Sequence, residues 1–327
     1  MSAPGTPMVS VVIPTRGRPE LLLRRALPGA LAQRLEAADG AEAGVEVIVV
    51  VDGPDPATVA ALEAMTDPRL RVLALPGNVG PSEARNRGVA AARAEWIALL
   101  DDDDEWAPDK LRAQLDVARR SAWPQPLVVC RYRLPTPQGV REEPARFPAP
   151  GEPLGDYLMA RDGWLGHDLT LMSTVLFARR SLFTHVPFQA EVRCHEDWDW
   201  LLRAAAEPGV GVVGVDGVLA TYHFHEPRPH LSRSVNWRES LRWAGERRRS
   251  GHLSARAYAG FVVFHVTHFA ALERSPAALW ATGRALLGAR PRPFEVARFL
   301  GTWLFSQPVR RRLHDLGDRL WSRLRPA

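Results

Sequence analysis

Along the first two-thirds of the chain, apolar and polar positions fall into blocks that read alternately as strand and helix. Val9 to Ile13 is a β-branched run stopped by Pro14, and Val45 to Val51 is a second such run that ends at Asp52-Gly53. Unbroken apolar runs of this length fit strands buried on both faces. Leu70 to Leu75 and Trp96 to Leu100 add two more, the last running straight into Asp101, Asp102, Asp103 and Asp104. Helices fit between them. One starts at Pro19 and continues from Leu21 to Ala32 with a disturbance expected at Pro28; others span Ala57 to Met65, Pro81 to Ala94 and Pro108 to Arg120. Proline suits a first helical turn because its missing N–H has no partner there anyway.

Trp123 to Pro153 is proline-rich and irregular, and encloses a strand-like Leu127 to Arg133. Leu171 to Ala178 and Val218 to Phe224 read as further strands, and beyond about Arg228 the pattern turns helical, with Trp, Ala and Arg. The rhythm predicts an α/β fold with a mainly parallel central sheet, helices on both faces and a C-terminal helical extension. The expected division is 8–228 and 229–327. Ligands of such sheets sit beyond the carboxyl ends of the strands. That rule gathers Thr15, Arg16 and Arg18, then Asp52, then Asn78 and Gly80, then Asp101 to Asp104, around one crevice.

Composition narrows the function classes. The chain has 327 residues, 46% hydrophobic and 24% charged, so it can bury a core and is not disordered by composition. Its net charge is +5, carried almost wholly by arginine, since Lys110 is the only lysine. Arginine forks suit phosphate, but no nucleic-acid recognition motif accompanies the charge, and no nucleic-acid partner is expected. The two cysteines, Cys130 and Cys194, form no CxxC pair or disulfide framework. MSAPGTPMVSVVIP lacks a basic start followed by a long apolar run, so no secretory signal is expected and the location is read as cytoplasmic. Ala257 to Leu272 is apolar but short of the roughly 20 residues of a spanning helix, and His265 and His268 interrupt it. It reads as a buried helix.

WIALLDDDDEW is the most informative segment. Neighbouring carboxylates at ~4 Å repel by roughly 1 kcal/mol even in water, and by more against an apolar wall. A divalent cation removes that cost. Mg²⁺ or Mn²⁺ takes oxygen ligands, commonly one or two carboxylates plus phosphate oxygens. An acidic loop in front of the helix near Pro108 is the bland alternative; the position at a strand end favours a metal holding a diphosphate.

Taken in order, VSVVIPTRGRP, VEVIVVVDGPDPAT, NVGPSEARNRGVAAARAEWIALLDDDDEWAPDKL and HEDWDWLLRAA resemble the family 2 glycosyltransferases of the GT-A fold, over roughly residues 8–228. The resemblance implies a nucleotide-binding half, 8–110, and an acceptor half, 111–228. It implies that Asp52 contacts the base or ribose of a nucleotide-sugar donor and that Thr15, Arg16 and Arg18 line the nucleotide pocket. Asn78, Gly80, Arg85 and Asn86 are then expected beside the ribose and phosphates. Asp101, Asp102 and Asp103 carry the DxD motif, with Asp103 the foremost ligand of a Mn²⁺ or Mg²⁺, Asp101 its companion, and Asp104 close by. Many members have two aspartates before the glycine of the second motif. Here Val51 precedes Asp52, which leaves UDP, dTDP and GDP donors open, UDP leading.

An inverting transfer needs a base for the acceptor hydroxyl. HEDWDW supplies Glu196, Asp197 and Asp199. On a helical wheel Trp198, Leu201, Leu202 and Ala205 form the apolar face; Asp197 lies at its margin and Glu196 nearly opposite, while Asp199 can pair with Arg203. Asp197 is therefore the expected base, as the family pattern also implies, with Glu196 the other candidate. His195 reads as a helix-entry residue. His223 or His225, in the late YHFHE segment, could stand near the metal, as a late histidine does in some members; Trp198 and Trp200 read as buried or as a stacking platform for an acceptor.

The C-terminal extension interleaves Arg290, Arg292, Arg298, Arg310, Arg311, Arg312, Arg319, Arg323 and Arg325 with Trp303, Leu304, Phe305, Leu313, Leu316, Leu320, Trp321 and Leu324. A basic amphipathic helix can lie on an anionic membrane surface, which suits a lipid-linked acceptor; packing on the catalytic domain is the alternative. The expected partners are thus a nucleotide-sugar donor and a saccharide, lipid-linked or small-molecule acceptor, with peripheral membrane contact. Three other classes compete. A nucleotide-sugar-binding protein without transfer activity would not need Asp197. A dinucleotide-dependent oxidoreductase needs a GxGxxG that IPTRGRP lacks. A sugar nucleotidyltransferase would show a glycine-rich opening loop, where only Gly17 stands.

Overall fold

The computed structural model describes residues 7–36, 42–137, 139–163, 170–224, 236–305 and 309. Four strands, Val9–Thr15 (β1), Val45–Val51 (β2), Leu70–Ala74 (β3) and Trp96–Leu99 (β4), run parallel. All seven residues of β2 are buried, as an unbroken Val/Ile run predicts. Pro14 does not end β1, which continues to Thr15 opposite Val51. The ring denies the ladder one donor, but its φ suits extended backbone.

Five more strands complete the sheet: Glu105–Trp106 (β5), Gln125–Thr136 (β6), Gly139–Glu143 (β7), Phe177–Arg179 (β8) and Val210–Thr221 (β9). The order is β3-β2-β1-β4-β8-β6-β9-β5, with β7 beside β6. The short β8 lies antiparallel to both β4 and β6, while β6 and β9 are again parallel. The parallel part expected from the alternation is thus β3 through β4, and the second half is mixed.

Three segments differ from the pattern. Within Leu171 to Ala178 only Phe177 and Ala178 are strand, and Ser173–Val175 makes a 3₁₀ turn whose polar groups point at distant aspartates. β9 starts at Val210, ahead of the expected Val218, because its glycines hide it from propensity. Aromatic rings lie flat where their side chains would be: a Cβ on Gly211 would stand 2.1 Å from the Trp123 ring, and one on Gly214 2.1 Å from Phe147. β7 had no apolar signal, its residues being largely exposed.

The first helical stretch runs Pro19–Leu21, widens at Leu22–Ala26 and resumes at Leu27–Leu31. The disturbance expected at Pro28 is this wide turn, in which the Leu27 N–H reaches back to the Leu22 carbonyl. Pro28 has no N–H to offer the preceding turn, so the bonding register slips by one. Pro81–Ala91 packs on β1 and β2 through Gly88, where a Cβ would meet Val12 Cγ1 at 2.3 Å. Lys110–Arg120 begins two residues after Pro108.

The chain forms two compact units. The first is Met1–Leu154 with His167–His230, and the second is Gly155–Gly166 with Leu231–Ala327. Among its described residues the second has helices and no strand, the main ones being Trp237–Arg249, Ala255–Phe261, Val262–Val266, Thr267–Ala270, Pro276–Leu287 and Pro293–Leu304. Ala257, Phe261, Val262, Val266 and Ala270 are buried, so the apolar stretch expected there is interior helix. Gly260 allows the Met159 carbonyl to approach where a Cβ would sit, at 2.0 Å. Among the described residues no helix is long and apolar enough to cross a membrane. The amphipathic run Leu313 to Leu324, with Arg310 to Arg312, Arg319, Arg323 and Arg325, lies outside the described residues, as does His225.

Candidate functional site

The carboxyl ends of β1 and β4 are joined by side chains. Thr15 Oγ1 donates to Asp102 Oδ2 at 2.7 Å. Arg18 spans two aspartates, with Nη2 at 2.6 Å from Asp102 Oδ1 and Nη1 donating to Asp103 Oδ2 at 2.9 Å. The run alternates in depth, as backbone leaving a strand does. Asp102 and Asp104 are fully buried, whereas the side chains of Asp101 and Asp103 keep 23% and 12% exposure. Burial pushes the Asp102 carboxyl up to about 7, with the charge of Asp103 adding and Arg18 opposing. Burial likewise raises Asp104 well above the carboxylate range, helped by Asp103 and Asp101. Asp104 accepts from Thr174 Oγ1 at 2.6 Å and from the His223 N–H at 3.1 Å.

A second cluster centres on Arg85, from the helix Pro81–Ala91. Its guanidinium donates to Asp101 Oδ1 at 2.7 Å and to Ser173 Oγ at 2.9 Å. Its Nη1 stands 3.8 Å from Glu196 Oε1 and 3.9 Å from Asp197 Oδ1. Glu196 and Asp197 open the helix Glu196–Ala205, where the free N–H groups of a first turn favour negative charge. His195 enters that helix in the left-handed region, φ 66°, and stacks on Trp198. Burial pushes Glu196 up to about 7, with Asp197 adding and Arg85 opposing; Asp197 too is raised, by burial first. Asp197 Oδ2 accepts the backbone N–H of Ser173 at 3.0 Å.

The remaining expected residues divide. Asp52 follows β2 and accepts N–H bonds from Val79 at 2.7 Å and Gly80 at 3.0 Å, so it shapes the loop after β3. Gly80 sits at φ +86°, a conformation that glycine adopts without strain. Asn78 is exposed and caps the same loop by accepting from the Gly80 N–H; Arg16 is exposed on the first loop. Asn86 exchanges hydrogen bonds with the Phe188 backbone, donating to its carbonyl and accepting from its N–H. Arg85 faces the carboxylates, Asp101 among them. His223 touches Asp104 through its backbone, while its ring contacts Glu105 at 2.8 Å.

The helical wheel placed Trp198 on the apolar face, but Trp200 is the buried one. Its ring stacks on Phe183 and Phe188, and its Nε1 donates to the Val186 carbonyl at 2.6 Å. Buried aromatics on other segments, invisible to a wheel, rotated the buried side. Asp199 pairs with Arg203 as expected, at 2.8 Å. Ser173 and Thr174 escaped the sequence reading; two hydroxyls inside an apolar run were their only trace.

The donor chemistry fits Mn²⁺ or Mg²⁺. Asp101 and Asp103 offer hard oxygen atoms at the more open positions of the run. Among the described residues no three His, Cys, Asp or Glu side chains are arranged to hold a metal ion by themselves.

A model of the glycosyl transferase family 2 matches residues 10–174, half of the 327-residue chain. The chain belongs to glycosyl transferase family 2. The match runs from β1 to Thr174, so the ends of β1 to β4, the aspartate run, Ser173 and Thr174 lie in the matched region. The family 2 chain is 48% identical over 94 residues to the succinoglycan biosynthesis protein ExoO of Rhizobium meliloti, covering 29% of this chain and 25% of that one. It is 37% identical over 108 residues to the succinoglycan biosynthesis protein ExoW of the same organism, covering 32% and 31%. These matches span about a quarter to a third of the relatives' lengths. Its fold matches the crystal structure of S. aureus TarS 1–349 in complex with UDP-GlcNAc, TM-score 0.62 at 16% identity, covering 90% of this chain and 89% of that one. The fold is therefore GT-A.

Proposed function

We propose that this chain is an inverting glycosyltransferase that passes a sugar from a UDP-linked donor to an acceptor hydroxyl, with a saccharide acceptor in surface polysaccharide assembly. The observation that carries the reading is Asp197, a half-buried carboxylate hydrogen-bonded to Ser173, whose own hydroxyl bonds Asp101 of the strand-end run. Proton acceptor and diphosphate site are thereby adjacent. The UDP-GlcNAc held by TarS supports the donor class, and the names of ExoO and ExoW support the acceptor class.

In this reading Asp197 takes the acceptor hydroxyl's proton as that oxygen attacks the anomeric carbon. The bond from this carbon to the diphosphate breaks, and the nucleoside diphosphate leaves with the electron pair. Burial makes Asp197 a stronger proton acceptor than a solvated aspartate. Burial first, and then the charge of Asp197, raise Glu196 to about 7, so near neutrality it is partly protonated and the pair avoids two full charges. A Mn²⁺ or Mg²⁺ held by Asp101 and Asp103 would neutralise charge gathering on the departing diphosphate. Arg18 and Thr15 hold Asp102 and Asp103 in register beneath that site.

We also infer contact with an anionic membrane surface through the second unit. Trp280, Leu287 and Leu304 are 72%, 70% and 76% exposed on its helices, beside exposed Arg284 and Arg290. Co-sedimentation with phosphatidylglycerol vesicles, lost in Trp280→Ser/Leu304→Ser, is the expected result.

The test of transfer is calorimetric titration of UDP, dTDP and GDP with and without Mn²⁺, followed by assay of nucleoside diphosphate release from the sugar of the nucleotide that binds. Metal-dependent binding of UDP and release of UDP are expected. Folded protein that binds none of the three, or a reaction releasing pyrophosphate, overturns the reading.

A further inference from the structure

The turn Ser173–Val175 has no apolar surface in water and no place in the sheet, yet both of its hydroxyls and the Ser173 N–H are spent on the site. Ser173 Oγ accepts from Arg85 at 2.9 Å and donates to Asp101 Oδ2 at 2.8 Å. The Ser173 N–H goes to Asp197 Oδ2 at 3.0 Å. Next to it, Thr174 Oγ1 donates to Asp104 at 2.6 Å and accepts the Asp101 N–H at 3.2 Å. The Thr174 carbonyl accepts from Trp106 Nε1 at 3.0 Å, and the Val175 carbonyl from Gln114 at 2.9 Å. The middle and the last residue of the turn are thus anchored from behind, and its front touches both carboxylate groups.

We propose that Ser173 is a positioning residue that fixes Asp197 relative to Asp101, so that base and diphosphate site keep one spacing. The inference rests on the transferase reading above. Its physical basis is that catalytic groups lose about a hundredfold in rate when displaced by about 1 Å. Asp197 sits in the first turn of its helix, where backbone bonds alone hold an end loosely. The Ser173 N–H comes from a different segment, tied to the same aspartate run by its own side chain. A bond from each atom of one residue measures the gap between the two carboxylates.

Local geometry allows the two bonds to be removed in succession. Met172 is extended, φ −125° and ψ 167°, as a residue before proline prefers, and Ser173 is the first residue of a 3₁₀ turn, whose usual φ proline can adopt. The Ser173 N–H serves Asp197. Ser173→Ala therefore deletes the hydroxyl bridge to Asp101, and Ser173→Pro deletes the N–H as well.

The experiment is steady-state kinetics of full-length wild type, Ser173→Ala and Ser173→Pro with the UDP-sugar that the wild type turns over, with thermal melting and UDP titration on each. The expected result is kcat down about tenfold in Ser173→Ala and about a further tenfold in Ser173→Pro, with donor KM and UDP affinity within about threefold. Equal kcat in Ser173→Ala and Ser173→Pro, or KM rising while kcat holds, overturns the positioning role and leaves the transferase reading standing. Should Ser173→Pro fail to fold, Ser173→Ala decides, an unchanged kcat overturning the proposal. A folded wild type that transfers no sugar overturns the proposed function and this inference with it.

Discussion

Arg85 donates to Asp101 Oδ1 at 2.7 Å from a position only 4% exposed, and no other cation among the described residues is shown against Glu196 or Asp197. One guanidinium therefore offsets three carboxylates. Removing one partner of a buried ionic group costs about 3–5 kcal/mol, because the others are left charged and unpaired. Arg85→Met is expected to lose stability of that order by urea denaturation at pH 8. The loss shrinks at pH 5, where more of the carboxyls carry protons in the folded state.

Asp197→Asn is expected to lower kcat by about 10²–10⁴, the usual worth of a positioned base. Glu196→Gln keeps most of the turnover. Kinetics showing the reverse, with Glu196→Gln inactive and Asp197→Asn like wild type, would assign the base to Glu196.

Asp103→Ala removes one of the two more open carboxylates of the run. Calorimetry is expected to show that Mn²⁺ no longer strengthens UDP binding. Full metal-dependent affinity in this variant would rule Asp103 out as a ligand.

Stability should fall as pH rises through the titration of Glu196. Its carboxyl moves from 4.5 to about 7 on folding, burial being the main cause. Between those values the unfolded chain has lost the proton and the folded chain keeps it, so ionisation favours unfolding. Below 4.5 both states are neutral, and above 7 the penalty is complete. Glu196→Gln removes this slope, and the gain over wild type at pH 8 relative to pH 4.5 is expected to be on the order of 1–3 kcal/mol by denaturant titration.

Gly88→Ala separates two opposing effects. Helix propensity alone would stabilise by about 1 kcal/mol. The added Cβ would meet Val12 Cγ1 at 2.3 Å and Val50 Cγ2 at 3.1 Å. Overpacking of this kind costs about 1–3 kcal/mol, so the melting temperature is expected to fall; a rise would mean that the helix can lift off β1.

The sequence by itself determined the strands from β1 to β4, the edge at which they end, and the aspartates standing there. Each is a local property: β-branched apolar runs bury on both faces, and their carboxyl ends must share one edge once the strands are parallel. The Asp199–Arg203 pair was equally legible, being one helical turn apart. Tertiary structure alone decided which way the polar groups turned. Arg85 and Asn86 are adjacent, yet one faces three carboxylates and the other the Phe188 backbone. Ser173 meets Asp101 from 72 positions away and Arg85 from 88, separations at which no periodicity survives. Trp200 is buried in place of Trp198 because Phe183 and Phe188 approach from other segments. Local pattern sets where the chain is apolar and extended; which distant groups satisfy a buried hydrogen bond depends on packing, and the pairing of Asp197 with Asp101 through Ser173 was decided there.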